Sequence, residues 1–211
     1  MGYYSVSLDM TGRFAVVIGG GTVAERKVEG LLDAGAQVTV ISPCLTAQLA
    51  RWVKKARINH VARSYAPGDL AGYELAFVAT DDARVNAAVF HEGKRRGLWV
   101  NAADDPAHCD FILPSVLRRG ELTVAVSTGG SSPALSRAIR EELETYFTRD
   151  YDALTKVVTA VRKELRQRSV APTSEAWHGA LNGELRALVH RGELGRAKTY
   201  LINQLGGSPC A

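Results

Sequence analysis

The sequence predicts an α/β fold whose N-terminal half is a doubly wound parallel sheet. Short apolar segments such as residues 14–18 (FAVVI) and 75–79 (LAFVA) alternate with segments whose apolar residues have helical spacing. Strands that alternate with helices in this way pair in parallel, because each helix carries the chain back to the start of the next strand. Beyond about residue 113 the pattern changes to two close strands followed by helices alone. The C-terminal part is therefore predicted to have a different architecture.

The predicted elements follow one another closely along the chain. The first part gives strands at 14–18, 38–41, 58–61, 75–79 and 98–102, and helices at 22–34, 45–53 and 83–96. The second part gives strands at 110–114 and 122–127, then helices at 133–147, 154–168, 174–190 and 193–205. Because only a turn at 118–121 separates the two late strands, they are predicted to pair antiparallel. These changes predict three domains, residues 1–113, 114–147 and 148–211.

The composition is typical of a globular protein, with 46% hydrophobic and 23% charged residues among 211. No run of about 18 apolar residues is long enough to span a membrane, and the first ten residues lack the pattern of a signal peptide. Cys44, Cys109 and Cys210 are scattered, which predicts no disulfide, no metal site and a cytoplasmic location. The net charge of +4 suits an anionic small molecule, and no nucleic-acid-binding motif accompanies it.

A glycine-rich segment joins the first predicted strand to the first predicted helix. It reads Gly19, Gly20, Gly21, Thr22, Val23, Ala24 and fits the pattern G-x-G-x-x-G/A. In such a segment Gly19 permits the tight turn, Gly21 lets a pyrophosphate approach the backbone, and Ala24 lets helix and strand pack closely. The start of the helix offers N–H groups and partial positive charge to phosphates. This context predicts a Rossmann-type dinucleotide site, with a ligand-free glycine turn as the alternative.

Two further strand ends are candidate contacts for the dinucleotide. Ser42 and Pro43 follow the second strand, about 20 residues after the glycines, and Thr80 follows the strand at 75–79. NAD sites usually carry an acidic residue at the first of these places, where it binds the ribose 2′-hydroxyl. Ser42 can bind a hydroxyl and no arginine immediately follows it, so the residues weakly favour NAD over NADP. The Asp81-Asp82 pair is interpreted as a helix N-cap.

Acidic residues follow the last strand of the predicted sheet. The segment 101–106 (NAADDP) leaves that strand at the edge where ligands bind in doubly wound folds. Asp104 and Asp105 are candidates for a general base, and a turn cap is the alternative for either residue. His108 and Asp110 lie nearby in the sequence. A structural or solvent-facing role is favoured over metal ligation for His108.

A second polar glycine loop, residues 127–133 (STGGSSP), precedes the helix predicted at 133–147. Such a loop can receive an anion, so Ser127, Thr128 and Gly129 are candidates for binding a substrate carboxylate. The alternative is a simple connector in which Ser132 caps the helix.

Two arginines lie on one face of the helix that follows this loop. Arg137 and Arg140 are three residues apart, a spacing that places them side by side. They can bind substrate carboxylates, which makes Arg137 a candidate site residue, or they can form ion pairs with Glu141 and Glu144.

Three segments together resemble one family. VIGGGTVAERKVEGLLDAGAQVTVISP, NAADDPAHCDFILPS and ELTVAVSTGGSSPALSRAIREELE, in this order, are similar to precorrin-2 dehydrogenases, which include the N-terminal module of siroheme synthase and stand-alone relatives. The similarity covers about residues 3–147. It implies an NAD-dependent oxidation of the tetrapyrrole precorrin-2 to sirohydrochlorin, with ferrochelatase (lyase) activity in some members. It also implies a homodimer formed through an α+β dimerisation segment, here about 114–147, ahead of a helical C-terminal domain.

The resemblance also implies roles for particular residues. The catalytic aspartate of the family falls on Asp104, and the serine that lines the tetrapyrrole pocket falls on Thr128, a departure that keeps the hydroxyl. Asp104 is expected to accept the proton that leaves with the hydride, or to orient the macrocycle. The methyltransferase module of siroheme synthase is expected to be absent, since the sequence stops at Ala211. Iron insertion remains open, because no Cys/His cluster marks an iron site.

Other functions are compatible with parts of the sequence. A non-catalytic NAD-sensing Rossmann module would use the same glycines, although Asp104 and the 127–133 loop argue against it. An interaction protein with a vestigial nucleotide site would not need the intact glycine pattern. An oxidoreductase for small hydroxy acids usually relies on a histidine pair, and none is evident.

Overall fold

A computed structural model describes residues 2–103 and 105–206, and the chain divides into two compact units, residues 1–113 and 114–211. The first unit contains strands β1 Phe14–Ile18, β2 Gln37–Ile41, β3 Asn59–Val61, β4 Leu75–Val78 and β5 Trp99–Ala102, and helices α1 Thr22–Asp33, α2 Ala47–Lys54 and α3 Ala83–Arg96. The second contains strands β6 Ser115–Arg119 and β7 Leu122–Val126, and helices α4 Pro133–Tyr146, α5 Asp150–Gln167, α6 Ser174–Ala180, α7 Gly183–His190 and α8 Leu194–Gly206.

The five strands of the first unit form one parallel sheet in the order β3-β2-β1-β4-β5. Successive strand residues point to opposite faces, so each buried strand supplies two cores. On one face Val17 packs with Val28 of α1 and Leu49 of α2. On the other face Val16 packs with Val89 of α3. The predicted doubly wound α/β class is confirmed, and the early strands and helices lie within two residues of their predicted bounds.

A buried carboxylate holds the long connection between β3 and β4. Glu92 of α3 is only 2% exposed, and it accepts hydrogen bonds from the Tyr65 hydroxyl (2.5 Å), the Gly68 amide (2.9 Å) and Arg96 Nε (2.7 Å). Burial would raise the pKa of this carboxyl, but the hydrogen bonds outweigh burial and hold the pKa below its ordinary value. Glu92 therefore ties the connection to α3 as an ionised, fully partnered group.

The prediction of a strand at 110–114 is wrong. This segment follows the edge of β5, but side chains supply most of its hydrogen bonds: Asp110 Oδ2 accepts from the Val100 amide (3.0 Å), and Asn101 Nδ2 donates to the Phe111 carbonyl (2.9 Å). A regular strand ladder does not form because these groups replace it. The strand lies instead at Ser115–Arg119.

The strands β6 and β7 form an antiparallel hairpin, as predicted, but with a shorter turn. Arg119 pairs with Leu122, so the turn consists of Gly120 and Glu121 alone, with Gly120 at φ 59°. A two-residue hairpin turn requires positive φ, which glycine adopts without strain. The predicted turn at 118–121 is too long, because the two charged residues before the glycine continue the strand.

Two helix predictions in the second unit are also corrected. The helix predicted at 174–190 is interrupted, because the side chain of Asn182 accepts from the Glu184 and Leu185 amides and so starts a new helix. The helix predicted at 154–168 begins at Asp150, where acidic residues of the first turn favour a helix start. The C-terminal helices enclose their own core, which includes Val161, Leu185, Ala197, Leu201 and Leu205.

In the part of the chain that the structure describes, no helix combines the length and the apolar character needed to cross a bilayer.

We expect Glu92→Gln to lower the free energy of unfolding by roughly 1–3 kcal/mol at pH 7, because the amide cannot satisfy all the donors that the carboxylate accepts. The folded-state pKa is lowered, so the contribution of the ionised carboxylate is full above the ordinary glutamate pKa of about 4.3 and is lost as pH falls through the folded-state value. Urea unfolding of the wild type and of Glu92→Gln, at pH 7 and at decreasing pH below 5, measures the difference in the free energy of unfolding.

The matched control is Glu142→Gln on the exposed surface of α4, which should change stability by less than about 0.5 kcal/mol. An equal effect of the two substitutions would contradict the role of Glu92.

Candidate functional site

The carboxyl ends of β1, β4 and β5 lie side by side and define one edge of the sheet. The Ala79 amide donates to the Ile18 carbonyl, and the Ala103 amide donates to the Val78 carbonyl, both at 2.8 Å. The glycine-rich segment after β1, Thr80 after β4 and the segment after β5 are therefore neighbours. Ligands bind at this edge in doubly wound folds.

The first two glycines leave no space for a side chain. Gly19 has φ 113°, and a Cβ there would lie 2.2 Å from the Ala79 carbonyl oxygen. A Cβ on Gly20 would lie 1.9 Å from the Cys44 carbonyl oxygen and 2.8 Å from Ser42 Oγ. The turn after β1 is thus wedged between the ends of β4 and β2.

The third glycine opens towards solvent. Gly21 is the N-cap of α1, with no side-chain cap, and a Cβ at this position would meet no atom within 4 Å. Thr22 and Val23 begin the helix, while Ala24 is fully buried against the sheet. An uncapped helix start beside open space is the place where backbone N–H groups can bind an anion such as a pyrophosphate. The residues present fit a dinucleotide.

Ser42 and the loop after β2 are locked against the glycines. Ser42 is buried and its Oγ donates to the Cys44 carbonyl (2.7 Å), while the Thr46 amide donates to the Gly20 carbonyl (2.9 Å). Thr46 Oγ1 also donates to the carboxylate of Glu25, in the first turn of α1. The hydroxyl of Ser42, expected from the sequence to meet a ribose, is already donating inside the loop. Pro43 and Cys44 are the exposed residues there.

Thr80 and the Asp81-Asp82 pair shape the start of α3. Asp82 is the N-cap, as interpreted from the sequence, and accepts from the Arg84 amide at 2.9 Å. Thr80 Oγ1 accepts from the Asp82 amide (3.1 Å) and lies 3.4 Å from the buried Asn86 side chain. Thr80 is therefore held at the sheet edge by backbone and side chain.

The acidic segment after β5 is described except for Asp104, which lies outside the described residues. Asp105 Oδ2 is 2.6 Å from His108 Nδ1, and both side chains are about a quarter exposed. Burial raises the pKa of the Cys109 thiol, which accepts from the Ala102 amide at 3.2 Å. A thiol with a raised pKa is a structural group and not a nucleophile.

The second glycine loop belongs to the second unit. The Thr128 hydroxyl accepts from the Ser132 amide (3.0 Å), donates to the Ser132 carbonyl (3.0 Å) and lies 3.1 Å from Ser136 Oγ. Ser132 caps α4, and the Gly129 amide donates to Ser127 Oγ at 3.2 Å. These bonds give the loop a defined shape and engage the hydroxyl of Thr128.

The arginines of α4 form ion pairs with the acidic residues of the same helix. Arg137 Nε donates to Glu141 at 2.8 Å, and its side chain is 76% exposed. Arg140 is paired with both Glu141 and Glu144. Of the two alternatives drawn from the sequence, ion pairing is the one present, and an incoming carboxylate would have to compete for Arg137.

Two functional features were missed at the level of sequence. The Glu25–Thr46 contact and the Gly20–Cys44 approach join residues more than 20 positions apart, and the residue types in these pairs do not signal such contacts.

Within residues 2–103 and 105–206, no three His, Cys, Asp or Glu side chains are grouped so that they could hold a metal ion.

Fold and site together define a dinucleotide-binding α/β protein. Residues 6–115 match a family model described as putative NAD(P)-binding, and residues 119–146 match one described as sirohaem biosynthesis protein central. The chain therefore belongs to the putative NAD(P)-binding family, and its resemblance to siroheme synthase modules is confirmed.

Relatives of known name share most of this chain. A siroheme synthase of Nitrosococcus oceani is 37% identical over 98% of the chain and 45% of its own length, and siroheme synthase 1 of Pectobacterium atrosepticum is 36% identical over 97% of the chain and 43% of its own length. The chain thus spans less than half the length of these relatives. A solved structure described as SirC, precorrin-2 dehydrogenase, superposes with a TM-score of 0.77 and 29% identity, covering 94% of this chain and all of that one.

We expect Gly21→Ala and Gly20→Ala to affect the site in different ways. Alanine at position 21 fits the fold, so stability should fall by less than about 1 kcal/mol, while dinucleotide affinity falls at least about tenfold because the methyl group faces the phosphates. Alanine at position 20 would collide with Cys44, so stability should fall by about 1–3 kcal/mol. Thermal unfolding and titration with NAD+ measure both.

Gly30→Ala on the same helix is the control, since its Cβ also meets no atom within 4 Å. It should leave affinity unchanged and raise stability by about 0.5–1 kcal/mol. Unchanged NAD+ affinity in Gly21→Ala would contradict the assigned site.

Proposed function

We propose that this protein oxidises precorrin-2 to sirohydrochlorin with NAD+ as the hydride acceptor. The observation that carries the proposal is the uncapped start of α1 beside Gly21, at the sheet edge where the Ala103 amide also donates to the Val78 carbonyl. The similarity over nearly the whole chain to a structure described as precorrin-2 dehydrogenase supports the substrate. The similarity to siroheme synthases supports a place in siroheme biosynthesis.

The residues of the first unit bind the dinucleotide in this proposal. The backbone of Gly19, Gly20 and Gly21 and the first turn of α1 hold the pyrophosphate, with Thr22, Val23 and Ala24 fixing the helix start. Thr80 follows β4, with its Cγ2 near Gly19, and is proposed to contact the nicotinamide half of the cofactor, which would supply the hydride acceptor when bound. Asp104 is the proposed catalytic residue: it accepts the proton that leaves with the hydride, or it orients the macrocycle for that loss.

NAD is proposed over NADP because of the charge beside the loop after β2. The carboxylate of Glu25 contacts Thr46, and residues 42–46 contain no lysine or arginine. A 2′-phosphate near this carboxylate would be repelled, whereas a ribose hydroxyl would not. Ser42 and Pro43 contribute the loop that the ribose meets. Titration with NAD+ and NADP+ measures the preference directly.

In the second unit, the second glycine loop is proposed to bind the tetrapyrrole. Ser127, Thr128 and Gly129 would present hydroxyl and amide groups to substrate carboxylates, with Arg137 as the nearby cation. Because Arg137 is exposed and Thr128 is engaged within the loop, the carboxylates would exchange with existing partners. The loop residues and Arg137 therefore contribute to substrate orientation more than to substrate affinity.

We also propose a homodimer formed through residues 114–147, ahead of a helical C-terminal domain at 148–211. In this segment Leu117 is buried, whereas Val116 and Leu135 are 37% and 52% exposed. A second copy covering these side chains would remove apolar surface from water.

Ferrous iron insertion into sirohydrochlorin is a second activity to be tested and not assumed, since the described residues hold no grouped metal ligands.

A cytoplasmic location is supported by the unpaired thiols of Cys44 and Cys109. The alternative function, an NAD-sensing module without catalysis, shares the glycine site and predicts dinucleotide binding without turnover.

An anaerobic assay with freshly prepared precorrin-2 and NAD+ tests the activity, with expected formation of sirohydrochlorin and an equal amount of NADH. Addition of ferrous or cobaltous ion after this phase tests chelation against the rate without protein. We expect Asp104→Asn to bind NAD+ normally and to lower kcat about 100-fold or more. NAD+ binding without NADH formation by the wild type would support the sensing module, and a wild-type rate in Asp104→Asn would remove its catalytic role.

We expect Leu135→Asp to convert the dimer to a monomer, because a charge would be buried in the interface. Multi-angle light scattering should give twice the 22.7 kDa chain mass for the wild type and the single mass for the variant. Leu194→Asp is the matched control, an exposed leucine at the start of α8, and should stay dimeric. Equal masses for all three proteins would contradict the proposed interface.

A further inference from the structure

A histidine–aspartate pair follows β5, an outer strand of the parallel sheet. Asp105 and His108 lie at the two ends of a short 3₁₀ turn, Pro106–His108, with Nδ1 2.6 Å from Oδ2. The His108 ring packs edge-on against Phe90 of α3, with ring centres 5.2 Å apart. The carboxylate and the aromatic ring therefore fix both the position and the orientation of the imidazole.

The second ring nitrogen of His108 is left available. Nε2 has no hydrogen-bond partner among the residues that the structure describes, and the side chain is 28% exposed. A carboxylate at Nδ1 keeps the proton on that nitrogen and stabilises the imidazolium that forms when Nε2 takes up a second proton. The pair thus has the arrangement of an oriented base.

The charged surroundings of the pair are nearly balanced. From α3, the Lys94 ammonium lies over the Phe90 ring and is paired with Asp110, while the His91 ring contacts Phe90. From the 3₁₀ turn itself, the Cys109 thiol has a raised pKa and is uncharged near neutral pH. From α1, the charge of Lys27 reaches the Cys109 thiol. Asp105 is the charged group in direct contact with His108.

We propose that His108, held by Asp105, accepts the proton released when precorrin-2 is oxidised; this rests on the proposed function. One C–H bond of the macrocycle breaks and its hydrogen leaves with both electrons to nicotinamide C4. A second hydrogen leaves the macrocycle as a proton and binds His108 Nε2, and the imidazolium then releases it to water. The macrocycle loses two electrons and NAD+ gains them. Asp104 then orients the substrate, which is the second of the two roles considered for it.

The second unit contains a matched pair. His190 Nδ1 is 2.6 Å from Asp150 Oδ2, the same distance as in the 105–108 pair, but its side chain is 78% exposed. Substitutions in this pair alter a histidine–aspartate contact of equal length that belongs to the other unit. They control for any general effect of removing such a contact.

The first test is the pH dependence of kcat for precorrin-2 oxidation. Only neutral imidazole accepts a proton, so wild-type kcat should fall as pH decreases. His108→Gln should lower kcat about 100-fold and abolish this acid limb, with unchanged NAD+ affinity. His190→Gln should match the wild type.

A second test does not depend on turnover. Nitrogen NMR of the ligand-free protein should show the His108 proton on Nδ1 and an unprotonated Nε2 at the pH where kcat is highest. Free imidazole should restore part of the kcat of His108→Ala, and it should not affect Asp104→Asn.

The outcomes separate the two proposals. Wild-type turnover together with an unchanged rate and acid limb in His108→Gln would overturn the role of His108 and leave the pair as a turn-stabilising contact. Absence of NADH formation by the wild type would overturn the proposed function, and the proton-acceptor role with it. Turnover with loss of the limb and rescue by imidazole would support both.

Discussion

The sheet edge at the carboxyl ends of β1, β4 and β5 depends on one close approach between two backbone segments. Gly20 lies so near the Cys44 carbonyl that a methyl group would come within 1.9 Å of its oxygen. Around this contact Ser42 donates to the Cys44 carbonyl, and the Thr46 amide donates to the Gly20 carbonyl. Since the loop after β2 is thereby fixed against the turn after β1, the start of α1 is held open and uncapped. The open start of α1 therefore follows from this packing and not from any charged side chain.

Carboxylates stabilise the connections that lie outside the regular elements of the first unit. Glu92 accepts hydrogen bonds from the β3–β4 connection. Asp110 binds both the Val100 amide and Lys94 along the open edge of β5. Each one satisfies backbone amides that no strand or helix can reach, which avoids the cost of leaving them unpaired. The long connections can therefore run beside the sheet without adding strands, and the carboxyl edge stays accessible.

In the second unit, some element boundaries follow from local sequence patterns and others depend on distant contacts. Helix α4 starts at Pro133, where the sequence predicted it, because proline suits the first helical position and Ser132 caps it. The split between α6 and α7 was missed, because Asn182 acts through contacts with Tyr200 and Gly179 as well as through its capping bonds. The position of β6 was missed because Arg118 and Arg119 carry no strand signal of their own. Strand pairing, not composition, decided their conformation.

The sequence by itself determined the alternation of strands and helices, the glycine pattern after β1 and the family resemblance, since these depend on residues close together in the chain. Apolar periodicity is imposed locally, so β1 and α3 have the bounds that the sequence predicts. Only the tertiary structure decided that Ser42 faces inward, that Glu25 meets Thr46 and that His108 is oriented by both Asp105 and Phe90. The contacts of Glu25 with Thr46 and of His108 with Phe90 join distant segments. Their geometry is fixed by how the sheet and helices pack, which no local pattern encodes.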